Sequence, residues 1–272
     1  MNTSNILRRG MKAIPLLILL VMLECSNTVY SQDVLFHHTY FPKGISVSYG
    51  IGNFVVRDDF LTNERYSGPM PFFSAGWTTY ADSTGFRVLF SIHNSSEIRN
   101  KNMTADVLNF SLAWDYFNHI KTFQLFSRGW RVFAGPSAEL FIYSNRQDYA
   151  TSGIYLDLSF ASMISLGANV GLCVPLNDRI VAESGVRTNI FSLGIRMPLV
   201  NDVDGAENDQ SRLKLLTALT AINVHFDAGV RYFLFQDLSL KAAYRFQLTD
   251  IVVWEKLISS SDHFILSLSY GL

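Results

Sequence analysis

Cysteine is nearly absent from this chain, which has only Cys25 and Cys173 among its 272 residues. Cys25 falls inside a predicted export signal, so Cys173 is expected to be the only cysteine of the mature protein. A single cysteine excludes an intramolecular disulfide and a cysteine-based metal cluster. No metal and no cofactor is expected, and an exported chain of this kind must be stabilised by packing and hydrogen bonding instead.

An excess of charge of either sign is also missing. Lysine and arginine total 22 and aspartate and glutamate total 23, so the formal net charge is −1. Proteins that bind nucleic acid present a basic surface to the phosphate backbone. The composition therefore gives no support for a nucleic-acid partner.

Long apolar runs are missing as well, although 49% of the residues are hydrophobic and the mean hydropathy is +0.17. A membrane-spanning helix needs about 20 consecutive apolar residues. Only residues 13–23 approach this, and that run is too short and contains Pro15. The other apolar residues are spread along the chain in a fine alternation with polar ones.

The N-terminus has the three parts of a secretory signal peptide. Basic residues at 8, 9 and 12 precede the apolar run 13–23, and Val29-Tyr30-Ser31 is a small-residue cleavage pattern. We expect residues 1–31 to be a cleaved signal peptide and residues 32–272 to form one domain. A retained membrane anchor and lipidation at Cys25 are the less favoured alternatives, the second because Glu24 replaces the small residue that lipoprotein signals need.

The alternation predicts β-strands, because successive side chains of a strand point to opposite faces. In residues 238–248 one face is apolar and the other carries Ser239, Lys241, Ala243, Arg245 and Gln247. Ten segments follow this rule to different degrees: 45–56, 70–80, 86–93, 107–117, 130–143, 156–174, 180–196, 224–234, 238–248 and 263–272. The apolar phase of 180–196 switches near Ile190-Phe191, which predicts a β-bulge.

The connections alternate between short and long. Residues 81–84, 175–179 and 236–237 are predicted as tight turns, and long polar loops are predicted at 57–68, 94–103, 144–153, 197–212 and 249–262. Segment 118–129 breaks the rule, since it should be short: either its flanking strands extend beyond the bilayer or a strand pair has been missed. The predicted fold is an all-β, closed, antiparallel up-and-down transmembrane barrel of about ten strands, with eight or twelve as alternatives.

Aromatic residues near strand ends are typical of a membrane interface. Under this topology six of them fall near the end of the barrel with the short turns, where they are predicted to form a girdle: Trp77, Trp114, Tyr116, Trp130, Tyr232 and Tyr270. A soluble β-sandwich or a lipocalin-like barrel would show the same alternation. The polar face argues against it, because that face is rich in Gly, Ser and Ala and poor in Lys and Glu.

The export signal, the ten amphipathic segments and the closing run His263 to Leu272 resemble the outer-membrane β-barrel (porin-family-like) proteins of Gram-negative bacteria. The resemblance covers residues 33–272 and implies the fold and a location in the bacterial outer membrane. It departs from the family at Leu272, where an aromatic residue usually ends the strand recognised by the barrel-assembly machinery. Fold alone implies no activity.

Eleven charged residues share the polar phase and are predicted to line the lumen: Arg87, Asp115, Arg131, Glu139, Asp157, Glu183, Arg187, Asp227, Arg231, Lys241 and Arg245. Charges in an enclosed space must be paired, so the simpler interpretation is an internal ion-pair network. The alternative is the lining of a narrow, selective pore. General diffusion is not expected, because open aqueous channels belong to barrels of about 16 strands.

One element suggests an enzyme. His93 to Ser96 faintly resembles the His-x-Ser-Asn element of outer-membrane lipid A deacylases, but Ser96 replaces the asparagine and the element lies in the third strand. No catalytic residue is assigned. We expect a non-enzymatic barrel, structural or narrowly permeable, with long external loops; a lipid hydrolase or a membrane subunit of a secretion or surface complex are the alternatives. Expected partners are outer-membrane lipids, lipopolysaccharide and the barrel-assembly machinery.

Overall fold

The computed structural model describes residues 43–59, 61–81, 83–100, 103–126, 128–149, 157–199, 213–235, 237–253 and 256–272. The predicted signal peptide lies outside these residues. Among them, no helix is long and apolar enough to span a membrane.

The described part of the chain forms twelve β-strand segments in one antiparallel sheet. In chain order they are β1 Gly44–Asp58, β2 Thr62–Pro69, β3 Phe72–Ala81, β4 Thr84–Arg99, β5 Met103–Leu125, β6 Arg128–Tyr149, β7 Asp157–Asn177, β8 Ile180–Leu199, β9 Lys214–Thr217, β10 Ala221–Phe233, β11 Leu238–Ile251 and β12 Leu257–Gly271. Most strands pair with their neighbours along the chain, but β2 and β3 both pair with β1 and β4, and β9 and β10 both pair with β8. The sheet closes through β1 and β12.

Two pairs of segments each act as one strand with an interruption. β1 pairs with β3 over residues 44–50 and with β2 over residues 53–58, and the break falls at Met70 and Pro71. Pro71 has no N–H to donate to the ladder, so a break there is expected. Likewise, β8 pairs with both β9 and β10, which a turn at 218–220 separates. The ring therefore contains ten strands, and the predicted closed antiparallel barrel is confirmed.

The ten predicted strands all correspond to strands of the ring. Segment 118–129 is explained by extension, because β5 continues to Leu125 and β6 begins at Arg128. The predicted bulge is confirmed, since Leu166 pairs with Phe191 and Gly167 with Asn189, leaving Ile190 unpaired.

The prediction of five long loops is wrong for three of them. Most of 57–68, 94–103 and 249–262 is strand, with links of only a few residues at 59–61, 100–102 and 252–256. Ladder pairing continues there although the apolar–polar alternation is weak, and only the alternation is visible in sequence. Strands also cover part of 144–153 and 197–212, as far as Tyr149 and Leu199, and the remainder lies outside the described residues.

The two faces of the closed sheet differ in burial. Apolar side chains cover the outward face, and on β1 alone Ile45, Val47, Tyr49 and Ile51 are each about half exposed or more. The central parts of β7 and β12 show the same exposure, for example 62% at Leu166 and 71% at Phe264. The inward face carries the polar and charged side chains together with a group of fully buried apolar ones.

Candidate functional site in the barrel interior

The interior has two layers, which we locate relative to the end of the barrel that carries Gly44 and Gly271, here called the terminal end. The layer nearer that end and at mid-height is charged, and the layer at the opposite end is apolar. Ten of the eleven charged residues predicted to face the lumen have described side chains, and none of the ten is exposed. The eleventh, Asp157, begins β7, and its side chain is not among those that the structure describes.

Five side chains form one connected chain of ion pairs and hydrogen bonds, here called the Asp115 chain. Arg87 on β4 donates to Asp115 on β5 at 2.6 Å. Arg187 on β8 lies 3.6 Å from Asp115 and 3.1 Å from Glu139 on β6. His225 on β10 contacts the same glutamate at 3.1 Å. The chain therefore connects strands that are not neighbours in the ring, and it crosses the interior.

A second group, the Glu183 chain, joins Arg231, Glu183, Lys241 and Asp227 on β8, β10 and β11. Glu183 accepts hydrogen bonds from Arg231 and lies 2.9 Å from the Lys241 ammonium, which is also 3.3 Å from Asp227. Arg231 donates in addition to Ser239 and Ser269, both at 3.1 Å. Each carboxylate in this group is therefore paired with a cation, as burial requires.

Arg245 on β11 differs from these residues. Its guanidinium lies 4.8 Å from the ring centroid of Phe72, a cation–π distance. Phe72 also contacts His93 and His263, whose rings are 4.9 Å apart. His263 interacts with the carbonyl oxygen of Met70 at 2.9 Å, while the Nδ1 atoms of both histidines have no hydrogen-bond partner among the described atoms.

A cavity of about 50 Å³ is lined by residues of the Asp115 chain, the Glu183 chain and Arg245. Its charged lining consists of Arg87, Arg187, Lys241, Arg245, Glu183 and Asp227. Two glycines, Gly171 and Gly185, form part of its wall. Sites for drug-sized ligands have volumes of roughly 300 Å³ or more, so this space admits only a few water-sized groups.

Sequence reasoning missed the second layer, a group of inward-facing apolar side chains here called the apolar plug. It lies at the end opposite to Gly44, and none of its members is more than 1% exposed. Its members are Phe54, Val56, Tyr66, Met70, Ile98, Ala105, Val107, Phe141, Tyr143, Ala161, Met163, Leu216, Ala221, Ile251 and Leu257. The sequence of β1 contains one indication of the plug: after Ile51 the apolar–polar alternation is lost, because both faces of the strand become apolar.

A buried ion pair lies beside the plug. Arg196 on β8 is bonded to Asp58 at the end of β1, and both side chains are fully buried. The hydroxyl of Tyr143 on β6 donates to the same carboxylate at 3.3 Å. β1 and β8 lie far apart around the ring, so this pair spans the interior. Arg196 escaped the sequence analysis because the bulge at Ile190 shifts the inward phase from odd to even residue numbers.

The remaining predicted residues are placed as follows. The six aromatic residues predicted as a girdle lie on outward-facing positions in the terminal half, with Trp77 45% and Tyr270 56% exposed. Their role at a membrane interface stays a prediction. Arg131 lies on β6 near the terminal end, half-buried, and pairs in register with Cys173 of β7.

In the suspected hydrolase element, Ser95 and His93 each have other partners. The hydroxyl of Ser95 donates to the carbonyl of Pro69 at 2.6 Å and accepts from the amide of Glu97 at 3.1 Å. His93 packs instead against Phe72 and His263. Among the described residues, no three His, Cys, Asp or Glu side chains are arranged to hold a metal ion.

No family model matches this chain, and neither does any curated protein. Solved structures with a similar fold include the outer membrane protease OmpT from Escherichia coli, 6% identical with a TM-score of 0.49, covering 88% of this chain and 100% of that one. The translocator domain of autotransporter NalP from Neisseria meningitidis is 12% identical with a TM-score of 0.43, covering 88% and 91%. Neisserial surface protein A is 13% identical with a TM-score of 0.35, covering 85% and 100%.

Proposed function

We propose that this protein is a non-conducting β-barrel of the bacterial outer membrane, a closed structural element of the cell envelope without enzymatic activity. Its outward face exposes isoleucine, leucine and phenylalanine side chains along most strands, while the charged residues of the Asp115 and Glu183 chains lie inside. This arrangement would be unfavourable in water and is favourable in lipid. Closed antiparallel barrels behind an export signal are typical of the outer membrane.

The apolar plug is the main reason to expect that the barrel does not conduct ions. Ions cross a pore only where water or polar groups replace their hydration shell. The plug offers neither, because its fifteen side chains are packed without exposed surface. The polar groups beside it, among them the Asp58–Arg196 pair, the Tyr143 hydroxyl, Asn145 and Ser159, are fully buried as well. A solute that entered the charged layer would therefore find no continuous path through the described part of the barrel.

Planar-bilayer recording tests this directly. Purified protein should give no channel steps at high protein load, in a bilayer where a general porin added afterwards gives steps. The triple variant Phe54→Ala/Phe141→Ala/Met163→Ala removes large side chains from the plug and should give small, brief steps. Regular steps from the wild-type protein would overturn the proposal.

The expected partners follow from this location. Phospholipid and lipopolysaccharide would contact the apolar outward face, and the barrel-assembly machinery would insert the chain through its last strand. In β12, Phe264, Leu266, Leu268 and Tyr270 all face outward. Removing residues 263–272 should abolish the heat-modifiable, folded form in outer-membrane fractions. Normal assembly of that truncated chain would contradict recognition through β12.

A further inference from the structure

The cations that line the interior cavity are not fully balanced by carboxylates. Taken together, the Asp115 and Glu183 chains match four acidic groups, Asp115, Glu139, Glu183 and Asp227, with four basic ones, Arg87, Arg187, Arg231 and Lys241. Arg245 lines the same cavity and lies opposite Asp227 in the register of β10 and β11. No described carboxylate lies within ion-pair distance of it, and Asp227 is already paired with Lys241. Five basic groups are therefore matched by four acidic ones, which leaves a net charge of +1 among these nine side chains.

Hydrogen-bond donors at the cavity are also left over. Arg187 is only 8% exposed, and its Nε–H has no acceptor among the described atoms. Arg245 lines the same cavity and makes no hydrogen bond to a described residue. A buried guanidinium with an unfilled donor, as at Arg187, is unfavourable. Water could fill the donors, but it would leave the charge in place.

We propose that the cavity binds one small monovalent inorganic anion of the size of chloride, held by the guanidinium groups of Arg245 and Arg187. The anion would balance the net positive charge of the cavity lining and accept a hydrogen bond from the Arg187 Nε–H. A volume of about 50 Å³ holds roughly four groups that need about 10–15 Å³ each. Chloride with a few waters fits this space, whereas an organic acid of several carbons does not. This inference is independent of whether the barrel conducts.

The experiment measures how unfolding depends on chloride. Folded protein in detergent micelles is unfolded with urea while sodium chloride replaces sodium gluconate at constant ionic strength; gluconate is too large for the cavity. If the folded state alone binds one chloride, the equilibrium constant for unfolding falls about tenfold for each tenfold rise in chloride above the dissociation constant. We expect this slope for the wild-type protein.

Three variants make the test specific. Arg245→Met should abolish the chloride dependence, because the unpaired charge is gone. Lys121→Gln removes an equal charge from an exposed position on β5 and should keep the wild-type slope. Gly185→Ala removes no charge, and its new methyl group meets Asp227 Oδ1 and the Val170 carbonyl at an ordinary 3.6 Å. It narrows the cavity, so the chloride dependence should begin at a higher concentration, at least threefold.

Two results would overturn the proposal. A wild-type protein whose unfolding ignores chloride would show that the cavity holds only water. An equal slope in wild type and Arg245→Met would place the chloride effect elsewhere. If Arg245→Met does not fold, Gly185→Ala decides the question alone, because an unchanged chloride dependence in that variant contradicts binding in the cavity.

Discussion

Glu183 is the carboxylate on which the charged layer depends most. It is 8% exposed and accepts hydrogen bonds from Arg231, and the Lys241 ammonium lies 2.9 Å from its Oε2. Glu183→Gln keeps the shape of the side chain and removes its charge. Breaking a buried ion pair by removing one partner costs about 3–5 kcal/mol. Arg231 keeps Ser239 and Ser269, and Lys241 keeps Asp227, so we expect about 3 kcal/mol, the lower end of that range.

The assay is urea unfolding of the refolded protein in lipid vesicles, followed by tryptophan fluorescence. Glu97→Gln is the matched control, because Glu97 is exposed on β4, and it should change the free energy of unfolding by less than about 0.5 kcal/mol. The double variant Glu183→Gln/Lys241→Met removes one of the stranded cations and should cost less than the sum of its single variants. A loss below about 1 kcal/mol for Glu183→Gln, or strict additivity in the double variant, would refute the reasoning that these charges stabilise one another.

Arg196→Met should destabilise the barrel by about 3–5 kcal/mol in the same assay, because it leaves the buried Asp58 carboxylate without its cation. The double variant Arg196→Met/Asp58→Asn should recover much of that loss, and a double variant as unstable as Arg196→Met would contradict this account. Cys173 is 2% exposed inside the barrel, so a polyethylene-glycol maleimide should add to one thiol of the mature chain in urea and to none in the folded form. Rapid addition to the folded protein would show that the interior is open.

The two-residue repeat of apolar and polar residues was sufficient to predict the positions of the strands, because it has one physical cause. Outward-facing residues meet one environment and inward-facing residues meet another, as in β7, where Ile164, Leu166 and Val170 are exposed while Ser165 and Asn169 are buried. The bulge at Ile190 was visible for the same reason, since an extra residue reverses the phase. Strand ends were less visible, because near Arg99 and Leu257 the ladder continues although the alternation fades.

The interior could be predicted only in part. Charged residues in the polar phase identified most members of the Asp115 and Glu183 chains, but which carboxylate meets which cation depends on contacts across the ring. Sequence spacing contains no such information. The apolar plug was hidden because Phe54 and Phe141 are apolar residues in the inward phase, and an apolar residue was expected to face lipid. Where both faces of a strand are apolar, alternation no longer distinguishes them.

The central claim is that the apolar outward face contacts lipid, and Leu166 offers the most direct test of it. This side chain is 62% exposed on the middle of β7. If it faces the bilayer core, Leu166→Arg should lower the free energy of unfolding in lipid vesicles by about 2–4 kcal/mol. Leu219→Arg, at a 91% exposed position in the turn at 218–220 near the opposite end, should cost no more than about 1 kcal/mol. A Leu166→Arg protein as stable as wild type would mean that this face meets water, and the membrane account would be wrong.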